Sequence, residues 1–413
     1  MNPISPPPPP FLISWNLTRR CNLRCPHCYL DAAQLDGGRA DLTTRQAMAV
    51  LEQLGDFCPG AMLILTGGEP LLREDLCLIA AEATRRGLSV VLGSNGTLLS
   101  ADWIPRLLAA GFRGVGVSLD SIHPEQHDRF RGLPGAWTQT MAAVEAMQQQ
   151  GMEFQMQFTV TRQNYAEIPE LIALAASKGA KAANVFFLVC TGRGQRMTDI
   201  TPDQYEQMLQ TLARLEQAQG QETTASPLVR ARCAPHFVRL VAAANPDSPI
   251  LRGATSGCIA GTGYLRITPE GDLTACPYMP ESLGNLLETP LATLWQENST
   301  LHSLRQPVYR GKCAQCAYRQ SCGGCRARAL AITGDLMGED PWCAFEPPEE
   351  SDTGILPPRP EWSPEAAARL ERVPFFLRSM VKSGVERYAR EKGLPQITPE
   401  LMMAIRSRVN EQR

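Results

Sequence analysis

Three cysteines lie within eight residues near the start of the chain, and their thiols are suited to binding iron. Cys21, Cys25 and Cys28 have the spacing C-x3-C-x2-C and follow a short apolar run at residues 11–17. A strand that ends in a tight loop would direct the three sulfurs at one small volume. Three thiolates suit an iron–sulfur cubane, because one iron then stays free for substrate or cofactor. The spacing alone leaves open a zinc site without its fourth ligand, or unrelated buried cysteines.

The residues around these N-terminal cysteines (Cys21, Cys25 and Cys28) point to a family. With Thr18 and Arg19 before it and Tyr29 after it, the loop resembles that of radical S-adenosylmethionine (SAM) enzymes. The resemblance implies a [4Fe–4S] cluster whose open iron is chelated by the amino and carboxylate groups of SAM. In that family, electron transfer from the cluster cleaves SAM to a 5′-deoxyadenosyl radical.

Composition and charge describe an ordinary globular protein. The 413 residues allow two or three domains, and 44% of them are apolar and 20% charged. A net charge of −2 gives no electrostatic reason to expect nucleic acid or an acidic membrane as partner. We find no apolar run near the roughly 20 residues that span a bilayer, and no secretion signal. The fourteen cysteines bunch in C-x2-C patterns, which favours metal sites in a reducing, cytoplasmic compartment.

Apolar runs rich in β-forming residues alternate with helical patterns over the first half of the chain. The runs expected to form strands are 12–17, 62–65, 89–92, 114–119, 154–160 and 184–189. The amphipathic stretches between and after them are 43–57, 75–86, 103–110, 137–150, 168–178 and 202–217. Six βα units predict an α/β fold with a parallel sheet, open or curled into a partial (β/α)6 barrel. Ligands of such folds bind at the carboxyl ends of the strands.

The second predicted strand ends in a glycine-rich turn, Thr66-Gly67-Gly68-Glu69-Pro70. The two glycines let the backbone pass close to a ligand, and Glu69 supplies a carboxylate. A plain turn between strand and helix would also explain these residues. Beside the N-terminal cysteines, the turn resembles the family's G-G-E-P motif, which implies that residues 67–70 bind the amino group of SAM.

Polar residues follow three further predicted strands. In the resembling family, residues such as Ser94 and Asn95 reach the ribose or methionyl part of SAM, and Ser118 and Asp120 face SAM or the substrate. Helix caps or a capped turn would explain several of them as well. The resemblance also implies that Arg193, after the sixth strand, pairs with the carboxylate of SAM, a geometry that suits a guanidinium group.

Two polar stretches are predicted to lack most regular structure. Residues 123–132 read as a solvated loop near the substrate entrance. Residues 220–255 contain four prolines and Cys233 and read as a linker with one short helix at 236–244.

Seven more cysteines lie between residues 258 and 343, around a hairpin predicted at 264–275. A zinc ribbon is the alternative interpretation of this spacing. The pattern resembles the SPASM extension of radical SAM maturases, whose cysteines hold auxiliary [4Fe–4S] clusters. The resemblance implies a first auxiliary set of Cys258, Cys276 and Cys325, and a second auxiliary set of Cys313, Cys316, Cys322 and Cys343.

The pattern departs from that of the SPASM family in two places. Two residues, not three, separate Cys322 from Cys325, and no cysteine stands a few residues before Cys258. The first auxiliary cluster therefore has an open iron, or takes a fourth ligand from Cys233, or is absent. The sequence leaves all three possibilities open. The number of auxiliary clusters, one or two, therefore stays open as well.

Domain limits follow from the changes in composition. A proline-rich arm (1–10) precedes the partial barrel (11–220), the linker and SPASM-like domain (221–350) and a small helical module (357–413). The last segment resembles the small C-terminal module of dark-operative protochlorophyllide reductase subunits, in the pattern W-S-P-E-A…R-V-P-F-F-L-R…I-T. That resemblance points toward tetrapyrroles.

The run from residue 8 to residue 32 resembles the haem d1 and alternative-haem branch of the family. This implies an oxidoreductase that removes or oxidises propionate or acetate side chains of an iron-tetrapyrrole, with a reductant protein such as flavodoxin or ferredoxin as electron donor. A peptide maturase is the second hypothesis, although ten residues before Phe11 leave no room for a peptide-recognition domain. The third is an iron–sulfur electron carrier, in which the motif at 67–70 and Arg193 would have no use.

Overall fold

The structure is a computed structural model that describes residues 7–32, 41–197, 200–219, 226–244, 257–347, 360–371 and most of 381–411. The first six residues of the proline-rich arm lie outside the described residues. Ten strands form one sheet: β1 Leu12–Asn16, β2 Met62–Thr66, β3 Ser89–Ser94, β4 Val115–Ser118, β5 Phe154–Val160, β6 Ala182–Phe187, β7 Leu228–Arg232, β8 Tyr264–Ile267, β9 Asp272–Thr274 and β10 Gly284–Asn285. Their order is β10-β9-β8-β1-β2-β3-β4-β5-β6-β7.

Helices connect and cover these strands. Those of the first half are α1 Thr44–Phe57, α2 Leu76–Arg85, α3 Trp103–Ala109, α4 Pro124–Arg131, α5 Ala136–Gln149, α6 Ile168–Ser177, α7 Pro202–Gln219 and α8 Phe237–Ala244. The cysteine-rich region adds α9 Leu291–Glu297, α10 Ser299–Arg305, α11 Lys312–Gln315 and α12 Arg326–Thr333. Helix α1 begins with a capping box between Thr43 and Gln46, which satisfies backbone donors that the helix itself leaves unpaired.

The predicted α/β fold is confirmed, with β1 to β7 all parallel. Alternate strand residues divide between two faces of the sheet. One face is apolar and packs against the helices: Ile13 and Trp15 of β1 and Met156 and Phe158 of β5 are almost fully buried. The other face carries polar residues such as Asn16, and these surround the interior of the partial barrel.

Two segments differ from the sequence-based expectation. The predicted polar loop at 123–132 contains α4, which starts at Pro124, a favoured first helical residue, and ends at Gly132 with φ 71°. The predicted linker contains β7, which pairs with β6 in the register Asn184↔Arg230. We missed β7 because its inward-facing positions hold arginines, so that it lacks an apolar run. The short helix predicted after it is confirmed as α8.

The cysteine-rich extension continues the same sheet. Strand β8 pairs in parallel with β1, in the register Leu12↔Tyr264, and β8 and β9 form the predicted hairpin. The side chain of Gln53 on α1 bonds the carbonyl oxygen of Leu286 at 2.8 Å and accepts from the amide of Leu291 at 2.9 Å. Barrel and extension therefore share both a strand edge and a helix interface.

The C-terminal segment has a small core of its own. Helices α13 Pro364–Glu371 and α14 Pro399–Glu411 accompany a two-stranded parallel sheet of β11 Glu361–Trp362 and β12 Gln396–Ile397. Its buried residues include Ala366, Leu370, Val385, Ala389, Ile397 and Met402. Within the part of the chain that the structure describes, we find no helix long and apolar enough to cross a membrane.

The pairing of β1 with β8 predicts how fragments of the chain behave. A fragment ending at residue 219 loses β7 and β8 and exposes the edges of both β1 and β6, so it should aggregate. A chain ending at residue 347 keeps the whole ten-stranded sheet and should remain monodisperse. Size-exclusion chromatography with light scattering measures both, and a monodisperse 1–219 fragment would contradict the shared sheet.

Candidate active site

The loop of the N-terminal cysteines lies against the glycine-rich turn after β2. The amide of Gly68 donates to the carbonyl oxygen of Thr18 at 2.7 Å, and the amide of Glu69 donates to that of Arg20 at 2.8 Å. A Cβ atom on Gly68 would stand 2.2 Å from the Arg20 oxygen, and one on Gly67 would stand 2.7 Å from the Thr18 oxygen. Both glycines are therefore required by the close approach of two backbones.

Each sulfur of the N-terminal cysteines accepts one hydrogen bond from a different donor. The pairs are the Leu23 amide with Cys21 at 3.4 Å, Arg131 Nη1 with Cys25 at 3.7 Å and the Ala32 amide with Cys28 at 3.5 Å. Cys58 behaves differently, because its Sγ donates to the carbonyl oxygen of Leu54 at 3.1 Å, as a neutral buried thiol does. Donors aimed at sulfur are the feature that stabilises cluster-bound thiolates.

Electrostatics around the loop favour a bound cation. Burial, together with the charges of Glu69 and of the two neighbouring cysteines, raises the pKa of Cys21 to about 12. Burial also raises the pKa of Cys25, and the Arg131 guanidinium opposes that shift. These thiols would bind iron as thiolates, because the metal supplies the positive charge that burial removes.

Among the residues that the structure describes, no three His, Cys, Asp or Glu side chains form a group suited to one metal ion. A cubane imposes a wider spacing than one ion, because each cysteine binds a different iron atom. Three cysteines with a donor at each sulfur fit a [4Fe–4S] cluster that leaves one iron open.

Arg131 and Asp120 form a buried ion pair directly behind Cys25. Arg131 Nη2 lies 2.5 Å from Asp120 Oδ2, and their side chains are 7% and 2% exposed. Asp120 Oδ1 accepts from the amide of Thr159 at 3.0 Å. Asp120, predicted to face SAM or substrate, therefore holds the arginine that contacts a cluster cysteine. A contact of Asp120 with SAM or substrate stays a prediction.

Glu69 is fully buried between two strand ends. Its carboxylate accepts from Ser94 Oγ at 3.0 and 3.1 Å, from the Asn95 amide at 2.9 Å and from the Leu71 amide at 3.1 Å. Burial nevertheless raises its pKa to about 7, and these hydrogen bonds limit the shift. The predicted SAM residues after β2 and β3 thus lie together. Pro70 begins a short 3-10 helix beside them.

The loop after β3 is also tied to the cysteine loop. Asn95 Nδ2 donates to Asn22 Oδ1 at 2.9 Å, and Asn22 Nδ2 donates to Thr97 Oγ1 at 2.8 Å. Asn22 stands directly after Cys21. Three strand ends therefore meet at one place, as the parallel sheet predicts.

Arg193 ties the middle of the cysteine loop to its C-terminal end. Its Nε donates to the carbonyl oxygen of Cys25 at 3.1 Å, and its Nη1 donates to Ala32 O at 2.6 Å and to Asp31 Oδ1 at 2.9 Å. These partners differ from the expected SAM carboxylate, and that contact stays a prediction. Ser118 ends β4, half-buried on the inner face of the sheet.

The C-terminal cysteines fall into two groups by their mutual electrostatics. Burial raises the pKa of Cys276 well above its ordinary value, and Cys233, Cys258 and Cys325 add to the shift. Cys322 belongs to a separate group. Burial raises its pKa to about 12, and the charges of Cys343 and Cys313 contribute to that shift. Cys316 contributes in turn to the raised pKa of Cys313. The division matches the two auxiliary sets, with Cys233 added to the first.

Comparisons with known protein families agree with this arrangement. A model of the radical SAM superfamily matches residues 15–175, and a model of the SPASM iron–sulfur cluster-binding domain matches residues 258–325. A model of the proto-chlorophyllide reductase 57 kD subunit matches residues 362–406. Fold, cysteine loop and matches together define a radical SAM enzyme with an auxiliary-cluster extension.

Relatives that match most of this chain show which branch of the radical SAM family it belongs to. The chain is 37% identical to the "AdoMet-dependent heme synthase" of Methanosarcina barkeri, over 82% of this chain and 97% of that protein. It is 35% identical to the "Pre-heme d1 synthase" of Dinoroseobacter shibae, over 86% of this chain and 91% of that protein. The chain belongs to the haem-biosynthesis branch of the radical SAM family.

A solved structure has the same fold at low sequence identity. Streptococcus suis SuiB bound to S-adenosylmethionine superposes with a TM-score of 0.66 at 15% identity, over 82% of this chain and 78% of that chain. The cofactors of this family are SAM and [4Fe–4S] clusters, and the N-terminal cysteines with their three donors fit the cluster.

Sequence reasoning missed Arg131, the one side chain seen to donate to an N-terminal cysteine sulfur among the described residues. The polar character of residues 123–132 predicts a solvated loop, in which an arginine would have no buried partner. A signal was present in the helix-forming spacing between Pro124 and Gly132, with Phe130 and Arg131 both buried.

The Arg131–Asp120 pair makes a prediction about stability. Arg131→Met should lower the unfolding free energy of the cluster-free protein by about 3–5 kcal/mol, because it leaves a buried carboxylate unpaired. Arg131→Met combined with Asp120→Leu should recover much of that loss. Chemical denaturation measures both.

The exposed pair between Lys178 and Glu145 provides the control for that experiment. Glu145→Ala should cost no more than about 1 kcal/mol, because such pairs are well solvated. An Arg131→Met cost as small as that of Glu145→Ala would contradict the assigned role of the buried pair.

We propose that Glu69 accepts hydrogen bonds from the amino group of SAM, and this predicts a pH dependence. Because its pKa is raised to about 7, the carboxyl group becomes protonated and a poorer acceptor as pH falls through 7. SAM affinity should fall roughly tenfold between pH 8 and pH 6 through this group alone. Glu69→Gln should bind SAM about 10- to 100-fold more weakly at pH 8 and vary less with pH.

Equilibrium binding at several pH values checks this prediction, and the comparison of the two proteins removes the titration of SAM itself. Equal pH slopes for the wild type and for Glu69→Gln would exclude Glu69 from the contact.

Proposed function

We propose that this enzyme removes or oxidises propionate or acetate side chains of an iron-tetrapyrrole, in haem d1 or alternative haem biosynthesis. Its relatives at 35–37% identity bear the names of haem and pre-haem d1 synthases. The observation on this chain that carries the proposal is a pair of arginines that face the barrel interior and have no carboxylate partner among the described residues. Tetrapyrrole side chains provide such carboxylates.

The pair consists of Arg230 and Arg232 on β7. They stand two residues apart in the strand and therefore share one face of the sheet, and both are partly buried. Among the described residues, neither forms an ion pair, and burial lowers the pKa of both, that of Arg232 to about 10. Mutual repulsion adds to the shift of Arg232. A bound carboxylate would relieve both penalties.

Neighbouring polar residues orient Arg232 for this task. Its Nε donates to Asn184 Oδ1 at 3.0 Å, and Asn184 Nδ2 donates to Gln155 Oε1 at 2.6 Å. Because Nε is held by Asn184, the two terminal nitrogens of the guanidinium group remain available as a pair of donors, in the form of a fork. Such a fork binds a carboxylate through two parallel hydrogen bonds.

A third cation comes from the other end of the barrel. Arg266 of β8 is 5% exposed, and its Nε donates to Asn16 Oδ1 at 2.5 Å. Its guanidinium lies 5.5 Å from the centre of the Tyr29 ring, next to the cysteine loop. The interior thus has positive charge on two widely separated strands, β7 and β8, which favours a substrate with several carboxylates.

When bound, the N-terminal cluster and SAM supply one-electron cleavage and hydrogen abstraction. The reducing electron comes from outside the chain, and we assign it to a reductant protein such as flavodoxin or ferredoxin. We assign the enzyme to a reducing, cytoplasmic compartment, because its cysteines bunch in the C-x2-C patterns of metal sites. We expect no nucleic acid or membrane as partner.

Anaerobic reconstitution tests the proposal directly. The protein with iron and sulfide is incubated with SAM, dithionite and candidate iron-porphyrinoids, and the pigment is analysed by mass spectrometry. We expect loss or oxidation of a carboxylate side chain and equal formation of 5′-deoxyadenosine. Cys25→Ala should abolish both. A pigment unchanged for every candidate, with SAM still cleaved, would favour the peptide-maturase alternative.

The arginine pair gives a separate prediction. Arg232→Gln should raise the apparent KM for the pigment about 10- to 100-fold, because it removes charge-assisted hydrogen bonds. SAM cleavage without substrate should be unchanged. Arg113→Gln, at an exposed arginine, is the matched control and should change neither value.

Esterified pigment supplies the complementary test, since it carries no charged side chains. It should bind equally poorly to the wild type and to Arg232→Gln. An Arg232→Gln variant with normal pigment KM would remove this arginine from substrate recognition.

A further inference from the structure

Four cysteines, not three, surround the first auxiliary site. Cys258 precedes β8, Cys276 follows β9 and Cys325 caps the N-terminus of α12. The fourth, Cys233, directly follows β7, in a segment that the sequence presents as a linker. It packs against the same core as the other three.

A buried bridge ties the backbone of Cys233 to that of Cys325. Arg328 Nη2 donates to the carbonyl oxygen of Cys233 at 2.9 Å, and Arg328 Nη1 donates to Asp340 Oδ2 at 2.9 Å. The amide of Cys325 donates to the same Asp340 oxygen at 2.8 Å. Arg328 and Asp340 are fully buried, so the bridge is rigid. Contacts of this kind orient metal ligands in proteins.

The backbone at Cys233 has an unusual conformation. Its φ is 57°, in the left-handed region, and only Asp31 shares a positive φ among the described non-glycine residues. A side chain in that region meets a steric penalty that glycine avoids. Such strain persists where the surroundings impose it, most often at functional sites. The Arg328 bridge imposes it here.

The thiol of Cys233 faces the other members of the group. It interacts with Tyr278, which stands two residues after Cys276. Burial raises its pKa to about 11, and the charge of Cys258 adds to the shift. Cys233 contributes in turn to the raised pKa of Cys276 and of Cys325. As anions these four thiols would repel one another, and a bound cluster would relieve that repulsion; Arg328 opposes part of it at Cys233 and Cys325.

We propose that Cys233 is the fourth protein ligand of the first auxiliary [4Fe–4S] cluster, so that no iron of this cluster is open to substrate. The inference rests on the presence of that cluster and not on the identity of the substrate. Full ligation makes the cluster an electron relay. It also joins the two ends of the partial barrel, since Cys233 follows the last barrel strand and Cys258 and Cys276 flank the hairpin at the opposite end.

The test uses the full chain with the N-terminal cysteines replaced by alanine, so that only the auxiliary clusters remain. Iron and sulfide are counted, and the electron paramagnetic resonance spectrum of the reduced protein is recorded with and without cyanide, which binds open iron sites. We expect two clusters per chain and a spectrum that cyanide leaves unchanged.

Adding Cys233→Ala to this background should open one iron. Cyanide should then shift the spectrum, and mild oxidation should release that iron and give a [3Fe–4S] signal. Cys233→Ser offers an oxygen ligand of similar size and should retain the cluster with an altered spectrum. Cys58→Ala, at the thiol that donates to a helix carbonyl, is the matched control and should behave like the background protein.

Three outcomes would overturn the proposal. Cyanide binding by the background protein would show an open iron despite Cys233. Spectra of both Cys233 variants identical to the background would show that this thiol binds no iron. Zinc in place of iron and sulfide at this site would show a different metal centre. None of these measurements uses SAM or a pigment, so they are independent of the proposed function.

Discussion

The N-terminal cysteines must be held at one point by a loop that has no helix or strand of its own. Such a loop leaves its backbone groups without regular partners, and the rest of the barrel supplies them. Arg193 bonds two of its carbonyl oxygens, and Arg19 Nη1 bonds that of Leu30 at 3.1 Å. The turn at Gly68 and the Asn22–Asn95 contact fix its start. The parallel sheet matters because it brings these strand ends together.

Buried thiolates pose a second problem, which the chain solves twice in the same way. Arg131 stands beside Cys25 and pairs with Asp120, and Arg328 stands between Cys233 and Cys325 and pairs with Asp340. A lone buried arginine would be costly, and its aspartate partner reduces that cost. The pair adds no net charge, yet it places donors next to sulfur ligands or their backbone. Each arginine thereby changes the charge around a group of cysteines. The spacing of the cysteines in the sequence does not predict either arginine.

The sequence predicted what local spacing encodes and missed what the tertiary fold decides. The motifs at 21–28 and 67–70, six strands and the β8–β9 hairpin follow from patterns within short windows. Strand β7 was missed because Arg230 and Arg232 occupy positions where an apolar residue would reveal a strand. Arg131 was missed because its partner Cys25 lies more than a hundred residues away. Arg193 could be singled out, but the loop contacts that occupy its guanidinium could not be predicted from its position in the sequence.

The pairing of β8 with β1 places the N-terminal cysteines and the first auxiliary site on one rigid sheet. Tyr29, next to Cys28, meets Tyr278 edge to face with ring centres 5.4 Å apart, and Tyr278 interacts with the thiol of Cys233. Asn16 fixes the Tyr29 hydroxyl with a 2.9 Å hydrogen bond. Two packed rings therefore connect the two cysteine groups. The electron relay that we propose needs a fixed separation between clusters, and a shared sheet with packed aromatic contacts would provide it.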